Sequence, residues 1–341
     1  MNLSYPSIVE QLSDKKELTT EQASWIMNET MSGNLTSAQI AGWLLAARCK
    51  GETPAEIARF ATIMREKAVQ VPDLPPLCVD TCGTGGDKSD LINISTLSAM
   101  ALAAQNIPVA KHGNRAISSK SGSADILEKL GYPLSETPEE ISQRIKDKSF
   151  AFLFAPNFHP AMKYAGPVRK ELGVRTVFNI LGPLSNPARA GVHLLGVYTA
   201  QLLDPMAQCL NLLGVSCALV VHGEPGLDEI SPVGKTKYRL LHKGTITPGE
   251  LDSSDFALTI KNLESLKAPT AEVALEKAQN IMNGTFLEGI EAVSLNATAA
   301  LYLYELALEK TDLPLKEYIQ KNVKILIEKI TSKDISLATV I

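Results

Sequence analysis

Three short segments between residues 80 and 125 gather residue types that handle phosphate. The first reads Asp80-Thr-Cys-Gly83-Thr-Gly85-Gly86-Asp87 and follows a short apolar run. Without a Cβ, its glycines let the chain turn tightly and bring backbone N–H groups up to an anion. A lone Gly-x-Gly-Gly is ordinarily just a turn after a strand. Here no Gly-Lys-Ser/Thr closes a Walker loop, and the dinucleotide-binding spacing is not met either. Asp87 would repel phosphate unless it turns away, orders the loop or acts through a cation. The second segment, Asn93-Ile-Ser95-Thr96, precedes an alanine- and leucine-rich stretch, 97–104, that predicts a helix. Ser95 and Thr96 stand where they would cap that helix, and its start offers free N–H groups to an anion. Asn93 and Ser95 alternate with Ile92 and Ile94, which predicts their side chains on one side. The third segment is Lys111-His112-Gly113-Asn114-Arg115, running through Ser118, Ser119 and Ser121 to Ser123. It brings a cation, an imidazole and an amide together, then hydroxyls leading into a predicted helix at 124–130. A single Lys or Arg is usually a solvated charge; the three patterns in succession point to a ligand with several phosphates.

Farther on, Asp228 and Glu229 are adjacent. Such a pair is most often a surface feature. These two follow a predicted strand at 218–221 and a turn at 222–226, at the strand end where α/β sheets place ligands. Hard carboxylate oxygens suit Mg2+, which keeps several waters and bridges carboxylates to substrate phosphates.

These groups need a scaffold. The chain has 341 residues, 45% of them apolar, enough for a full core and more than one domain in a soluble globular protein. A net charge of -4 leaves no electrostatic footprint for non-specific nucleic-acid binding, so local basic groups must hold any anion. No secretory signal is expected at the N-terminus, and no apolar run reaches membrane-spanning length. Five scattered cysteines (Cys49, Cys78, Cys82, Cys209, Cys217) predict reduced thiols and a cytoplasmic location. Cys78 and Cys82 lack the second pair that a zinc site needs.

The first seventy residues predict helices. Ser13 or Asp14 is expected to open the early part, and Thr19-Thr20-Glu21 a stretch through Trp25, Ile26 and Met31 that Gly33-Asn34 breaks. Thr36-Ser37 caps a run with Ile40, Trp43, Leu44 and Ala47, and Gly51 ends it. Thr53-Pro54 opens the next, with Ile57, Phe60, Ala61 and Met64 at helical spacing. Residues 71–76, rich in proline, read as a linker. Beyond them short apolar runs at 78–81, 107–110, 150–154, 192–198 and 218–221 alternate with helical stretches, indicating an α/β domain with a largely buried, partly parallel sheet. The Pro- and Gly-punctuated region 161–189 is expected to be irregular and to cross back to the helical unit.

Together with Gln39-Ile-Ala, Lys50-Gly-Glu-Thr, Arg169-Lys-Glu-Leu-Gly, Arg175-Thr-Val-Phe-Asn, Leu181-Gly-Pro-Leu-Ser-Asn-Pro187 and Gly226-Leu-Asp-Glu, these segments resemble the anthranilate phosphoribosyltransferase family of tryptophan biosynthesis. The likeness thins beyond residue 240, although Asn296-Ala297 still fits. It implies a cytoplasmic homodimer of the nucleoside phosphorylase/phosphoribosyltransferase-like two-domain fold. A small helical N-terminal domain, 1–70 with part of 161–189, would pair with a larger α/β domain, 77–341. The cleft between them would join phosphoribosyl pyrophosphate to the amine of anthranilate and release pyrophosphate. By the resemblance the donor would be held by Gly83, Gly86, Asp87, Asn93, Ser95, Thr96, Lys111, Asn114, Arg115, Ser118, Ser119 and Ser123. Mg2+ would use Ser95, Asp228 and Glu229. Anthranilate would meet Gly83, His112, Asn114, Arg169 and Pro183, with Lys111, His112 and Arg169 as the catalytic set.

One segment departs from the family. Where members commonly carry a glycine and later Thr-Phe, this chain has Lys88-Ser-Asp90-Leu91-Ile92, so no threonine hydroxyl is offered at Leu91. Two rival readings remain. A pyrimidine-nucleoside-phosphorylase-like enzyme also uses a glycine loop and a C1–N bond, but the 111–115 loop and the Asp228-Glu229 pair favour a pyrophosphate donor with metal. A non-catalytic nucleic-acid-binding relative should show a basic face and eroded motifs, and neither is seen.

Overall fold

The computed structural model describes residues 3–87, 89–116 and 122–341. Four helices come first: α1 (Tyr5–Ser13), α2 (Thr20–Ser32), α3 (Ser37–Lys50) and α4 (Pro54–Lys67). Thr19 with Gln22, Thr36 with Gln39 and Thr53 with Glu56 form reciprocal capping boxes at the starts of α2, α3 and α4. Each box satisfies N–H groups that a helix leaves without internal partners. The start of the chain departs from expectation, because Ser13 ends α1 and Asp14 caps its C-terminus. Ser4 caps the start instead, with Pro6 in the first turn and Ile8 and Leu12 buried on one face.

Residues 71–76 carry neither helix nor strand. After them come β1 (Val79–Asp80), α5 (Ile94–Ala103), β2 (Val109–Gly113), α6 (Ser123–Lys129), α7 (Pro138–Lys148), β3 (Phe150–Phe154), α8 (Ala155–Phe158), α9 (Met162–Leu172), α10 (Phe178–Leu181), β4 (Val192–Gly196) and α11 (Leu203–Leu212). Then follow β5 (Cys217–Gly223), β6 (Lys235–His242), β7 (Thr245–Asp252), α12 (Ala271–Met282), α13 (Leu287–Ala307) and α14 (Leu315–Thr331). The sheet order is β3-β2-β1-β4-β5-β6-β7, parallel through the first five and antiparallel through the last two. The chain leaves β1 toward β2 and β3, then returns to its other side with β4. The loop after β1 therefore sits at a topological switch point, where open α/β sheets bind ligands.

Lys111, expected to end an apolar strand, and His112, expected in the loop after it, both lie inside β2, paired with Phe152 and Leu153 of β3. The hairpin of β6 and β7 was not foreseen, because exposed polar residues interrupt it at the sheet edge. Region 161–189 is more regular than expected. It contains the 11-residue helix α9, with Pro167 inside it, packed on α2 and α3. One core lies between the sheet and α5, α13 and α14. A second runs without a break from Trp43 and Phe60 of the helical unit to Leu195 of β4 and Val220 of β5. Among the described residues no helix is long and apolar enough to cross a membrane.

Candidate active site

The loop after β1 is held at three points. The Thr84 N–H donates to the Gly196 carbonyl (2.9 Å), the Gly85 N–H to Asp228 Oδ2 (2.8 Å), and the Gly86 carbonyl accepts from Arg175 (2.6 Å). Gly85 and Gly86 have φ of +63° and +79°, which favours glycine at both. A Cβ on Gly83 would lie 2.6 Å from Asp228 Oδ2, so glycine there permits the approach of the carboxylate. Two of the loop N–H groups are thus already engaged. Those of Gly86 and Asp87 have no hydrogen-bond partner among the described residues.

Ser95 and Thr96 do not cap α5 as expected. The helix begins at Ile94, so they fall in its first turn, behind Asn93. The expected alternation of Asn93 with Ile94 is replaced by this helix start. Thr96 instead donates its hydroxyl to Ser123 Oγ (3.0 Å), joining the starts of α5 and α6. Ser95 turns toward Lys111, whose Nζ lies 3.3 Å from Ser95 Oγ, 3.1 Å from the Thr81 carbonyl and 3.4 Å from Thr81 Oγ1. Lys111 is only 1% exposed, so its charge sits among oxygens at the strand ends rather than in solvent.

Behind Lys111 is Asp80, a residue for which the sequence suggested no role. It accepts from the His112 N–H (3.3 Å) and from Asn186 Nδ2 (2.8 Å), and Asn186 also donates to the Ala110 carbonyl (2.8 Å). Burial raises Asp80 to about 6, against the opposing pull of Lys111. A carboxylate ending a fully buried two-residue strand was the available signal.

Asp228 and Glu229 face this cluster. Burial, then the charge of Asp87, raises Asp228 to about 7; burial, then Asp228, pushes Glu229 well above the usual carboxylate range. The Ser95 N–H partly offsets this at Glu229. The adjacent Asp228 and Glu229, beside one buried lysine, offer the hard carboxylate oxygens that a divalent cation takes. No ready-made group of three or more His, Cys, Asp or Glu metal ligands occurs among the described residues. Mg2+ needs only one or two carboxylates when phosphate and water complete its shell.

On the opposite side, His112 Nδ1 donates to the Gly182 carbonyl (3.0 Å), which leaves Nε2 a buried acceptor without a partner among the described residues. Burial, reinforced by His159, lowers His112 to about 3, so the ring is neutral near pH 7. The two imidazoles meet edge to face at 5.1 Å. Gly182 opens the 3-10 turn Gly182–Leu184, which carries Pro183 and directly follows α10. Arg169 lies over the Phe178 ring of α10 at 5.3 Å, half-buried and without a carboxylate partner among the described residues. Burial lowers its pKa.

Not every expected residue joins the cluster. Arg115 is exposed and pairs with Asp125 (3.0 Å) and Glu128 (2.7 Å), which bind its charge to α6. Asn114 is exposed and accepts from the Arg115 N–H. Ser118, Ser119 and Lys88 lie outside the described residues.

Comparison with known proteins bears on this arrangement. Residues 76–327 match the glycosyl transferase family a/b domain, and residues 6–68 match the helical bundle domain of the same family. The anthranilate phosphoribosyltransferase of Hydrogenovibrio crunogenus is 46% identical over 296 residues, covering 86% of this chain and 87% of that protein. The crystal structure of the enzyme of that name from Thermus thermophilus is 40% identical, with a TM-score of 0.82 over 95% of this chain and 98% of the other. The Saccharomyces cerevisiae enzyme in complex with phosphoribosyl pyrophosphate and Mg is 26% identical, with a TM-score of 0.83 over 98% of this chain and 95% of that one.

Proposed function

The chain belongs to the anthranilate phosphoribosyltransferase family, and on that premise we propose how its residues transfer the phosphoribosyl group of phosphoribosyl pyrophosphate to the amine of anthranilate, releasing pyrophosphate. The observation that carries the assignment of residues is the convergence, at the carboxyl edge of the parallel strands, of buried Lys111, the α5 start and the Asp228-Glu229 pair.

The aromatic amine of anthranilate is neutral near pH 7 and needs no strong base. Charge on the leaving group and alignment of the acceptor set the barrier. Lys111, the free N–H groups of Gly86 and Asp87 and the first turn of α5 receive the donor's phosphates and the charge that builds as the C1–O bond breaks. Ser95, Asp228 and Glu229 hold Mg2+, which when bound neutralises part of the pyrophosphate charge. Thr96 and Ser123 fix the starts of α5 and α6 around the same anion. Arg169 clamps the anthranilate carboxylate, with Pro183 against the ring. His112, neutral and with Nε2 free, accepts a hydrogen bond from the amine and so aims its lone pair at C1; its low basicity favours positioning over proton removal. Asn93 and Gly83 complete the donor and acceptor contacts, whereas exposed Asn114 and Arg115 shape the loop ahead of α6.

The domain division at the linker, with α9 added to the helical unit, forms part of this reading and is supported by the contacts of α9 with α2 and α3. So does a homodimer, for which exposed Leu3 and Leu45 offer apolar surface on the helical unit. A cytoplasmic site of action suits five free cysteines.

The test is loss of anthranilate fluorescence on mixing the protein with phosphoribosyl pyrophosphate and Mg2+, with pyrophosphate release measured in parallel. Metal-dependent loss with equimolar pyrophosphate supports the reading. No loss, with phosphate-dependent cleavage of a pyrimidine nucleoside instead, would replace it by the phosphorylase alternative.

A further inference from the structure

Arg175 lies between α9 and α10 and makes three contacts that the mechanism above leaves without a purpose. A guanidinium N–H donates to the Gly86 carbonyl at 2.6 Å. The guanidinium plane lies over the Tyr198 ring, with Cζ 3.7 Å from the centroid. The Arg175 backbone carbonyl accepts from Nη1 of Arg48 at the C-terminal end of α3. Tyr198 is itself tied to the same loop, its N–H donating to Thr84 Oγ1 at 3.2 Å. Arg175 therefore stands between the helical unit, the end of β4 and the glycine loop. It is half-buried and forms no ion pair among the described residues, unlike an ordinary surface arginine.

The peptide it grips cannot orient itself. Gly86 has φ +79° and no side chain, so the 86–87 peptide has little local preference. In a trans peptide the C=O and N–H point in opposite directions. Holding the Gly86 carbonyl on Arg175 turns the Asp87 N–H to the far side, away from the clasp.

We propose that Arg175 is a positioning residue that holds the 86–87 peptide with its N–H toward the donor's phosphates and ties that orientation to the seating of the helical unit through Arg48. Tyr198 provides the face on which the guanidinium is preorganised. The proposal rests on the reading of the 83–87 loop as the phosphoribosyl pyrophosphate site.

The test is calorimetric binding of phosphoribosyl pyrophosphate with Mg2+, without anthranilate, to the full-length wild type, Arg175→Leu, Arg175→Lys and Tyr198→Leu. Steady-state kinetics in both substrates and thermal midpoints accompany it. Arg175→Leu is expected to weaken donor binding about tenfold or more, the scale of one lost charge-assisted hydrogen bond, with little change in KM for anthranilate. Arg175→Lys should recover only part, since an ammonium lacks the planar fork that meets ring and carbonyl together. Adding Tyr198→Leu to Arg175→Leu should cost little beyond the single change, because the ring acts through the arginine. If Arg175→Leu does not fold, Arg175→Gln, which keeps donors without the charge, carries the same comparison. Donor affinity within twofold of wild type in the folded variant overturns the proposal. So does a rise confined to KM for anthranilate, which would make Arg175 an acceptor contact. If the wild type itself binds no donor, the functional reading falls and the proposal with it; wild-type binding with unchanged variants sinks the proposal alone.

Discussion

Replacing Arg169 by leucine should separate function from stability. The guanidinium is half-buried over Phe178, has no carboxylate partner among the described residues, and its charged form is disfavoured by burial. Leucine retains an apolar contact with the ring and removes a cation that burial penalises, so the fold has little to lose. The unfolding free energy is expected to stay within about 0.5 kcal/mol of wild type, or to rise. Anthranilate, by contrast, loses a bidentate charge-assisted pair worth about 1.5–3 kcal/mol, which is roughly a 10- to 150-fold loss in kcat/KM. The assay varies anthranilate at saturating phosphoribosyl pyrophosphate, then reverses the two, and measures urea unfolding of the same preparation. KM for the donor should hold steady. Arg169→Lys should remain impaired, since a point charge cannot reproduce the fork. The reasoning is refuted if anthranilate kcat/KM falls less than about threefold, against the energy of such a pair. It is refuted equally if stability drops by more than about 1.5 kcal/mol and both substrates suffer alike, the mark of a structural arginine.

Other consequences can be checked alongside. Gly83→Ala drives a Cβ to within 2.6 Å of Asp228 Oδ2, and should raise KM for the donor and the Mg2+ requirement while far-ultraviolet circular dichroism stays native; unchanged kinetics would show that the carboxylate can shift freely. Asp228→Asn keeps the size of the side chain but removes its charge, so the Mg2+ concentration for half-maximal rate should rise at least about tenfold, as for loss of a charged ligand; an unaltered Mg2+ titration would remove Asp228 from the metal site. His112, His159 and His193 are held near 3, 4 and 3 by burial, below their unfolded values. Stability from keeping them neutral is present above the unfolded histidine pKa and is lost as pH falls toward the folded values. The loss is on the order of 1 kcal/mol for each between pH 6 and pH 5. His193→Gln, in buried β4, should make the urea midpoint fall less steeply with acid in that range; an identical slope would mean His193 protonates equally in both states.

The starts of α2, α3 and α4 were legible, because capping boxes are local and each Thr meets its partner three positions on. Strand β3 was legible for a related reason, as a continuous apolar run buried on both faces can hardly be anything else. Local signals failed where packing decided. Nothing around Ser13 distinguishes the start of a helix from its end until Ile8 and Leu12 find a core. The edge hairpin is half polar and is held by pairing with β5.

At the site, residue types and short spacings were enough for the chemical inventory: a flexible glycine turn, hydroxyls at a helix start, a lysine and histidine at a strand end, and two carboxylates after another strand. They carry that much because they set which groups can bind phosphate, metal and aromatic acid. The assignments within that inventory came from packing between distant segments. Ser95 and Thr96 became first-turn residues, and Arg115, which reads as a phosphate ligand, was neutralised by Asp125 and Glu128 of α6. Asp80 and Asn186, 106 positions apart, met behind Lys111, and Arg175 reached Gly86 across 89. Such pairings depend on the crossing of the chain at β1, where non-local burial and hydrogen bonding override any preference written in neighbouring residues.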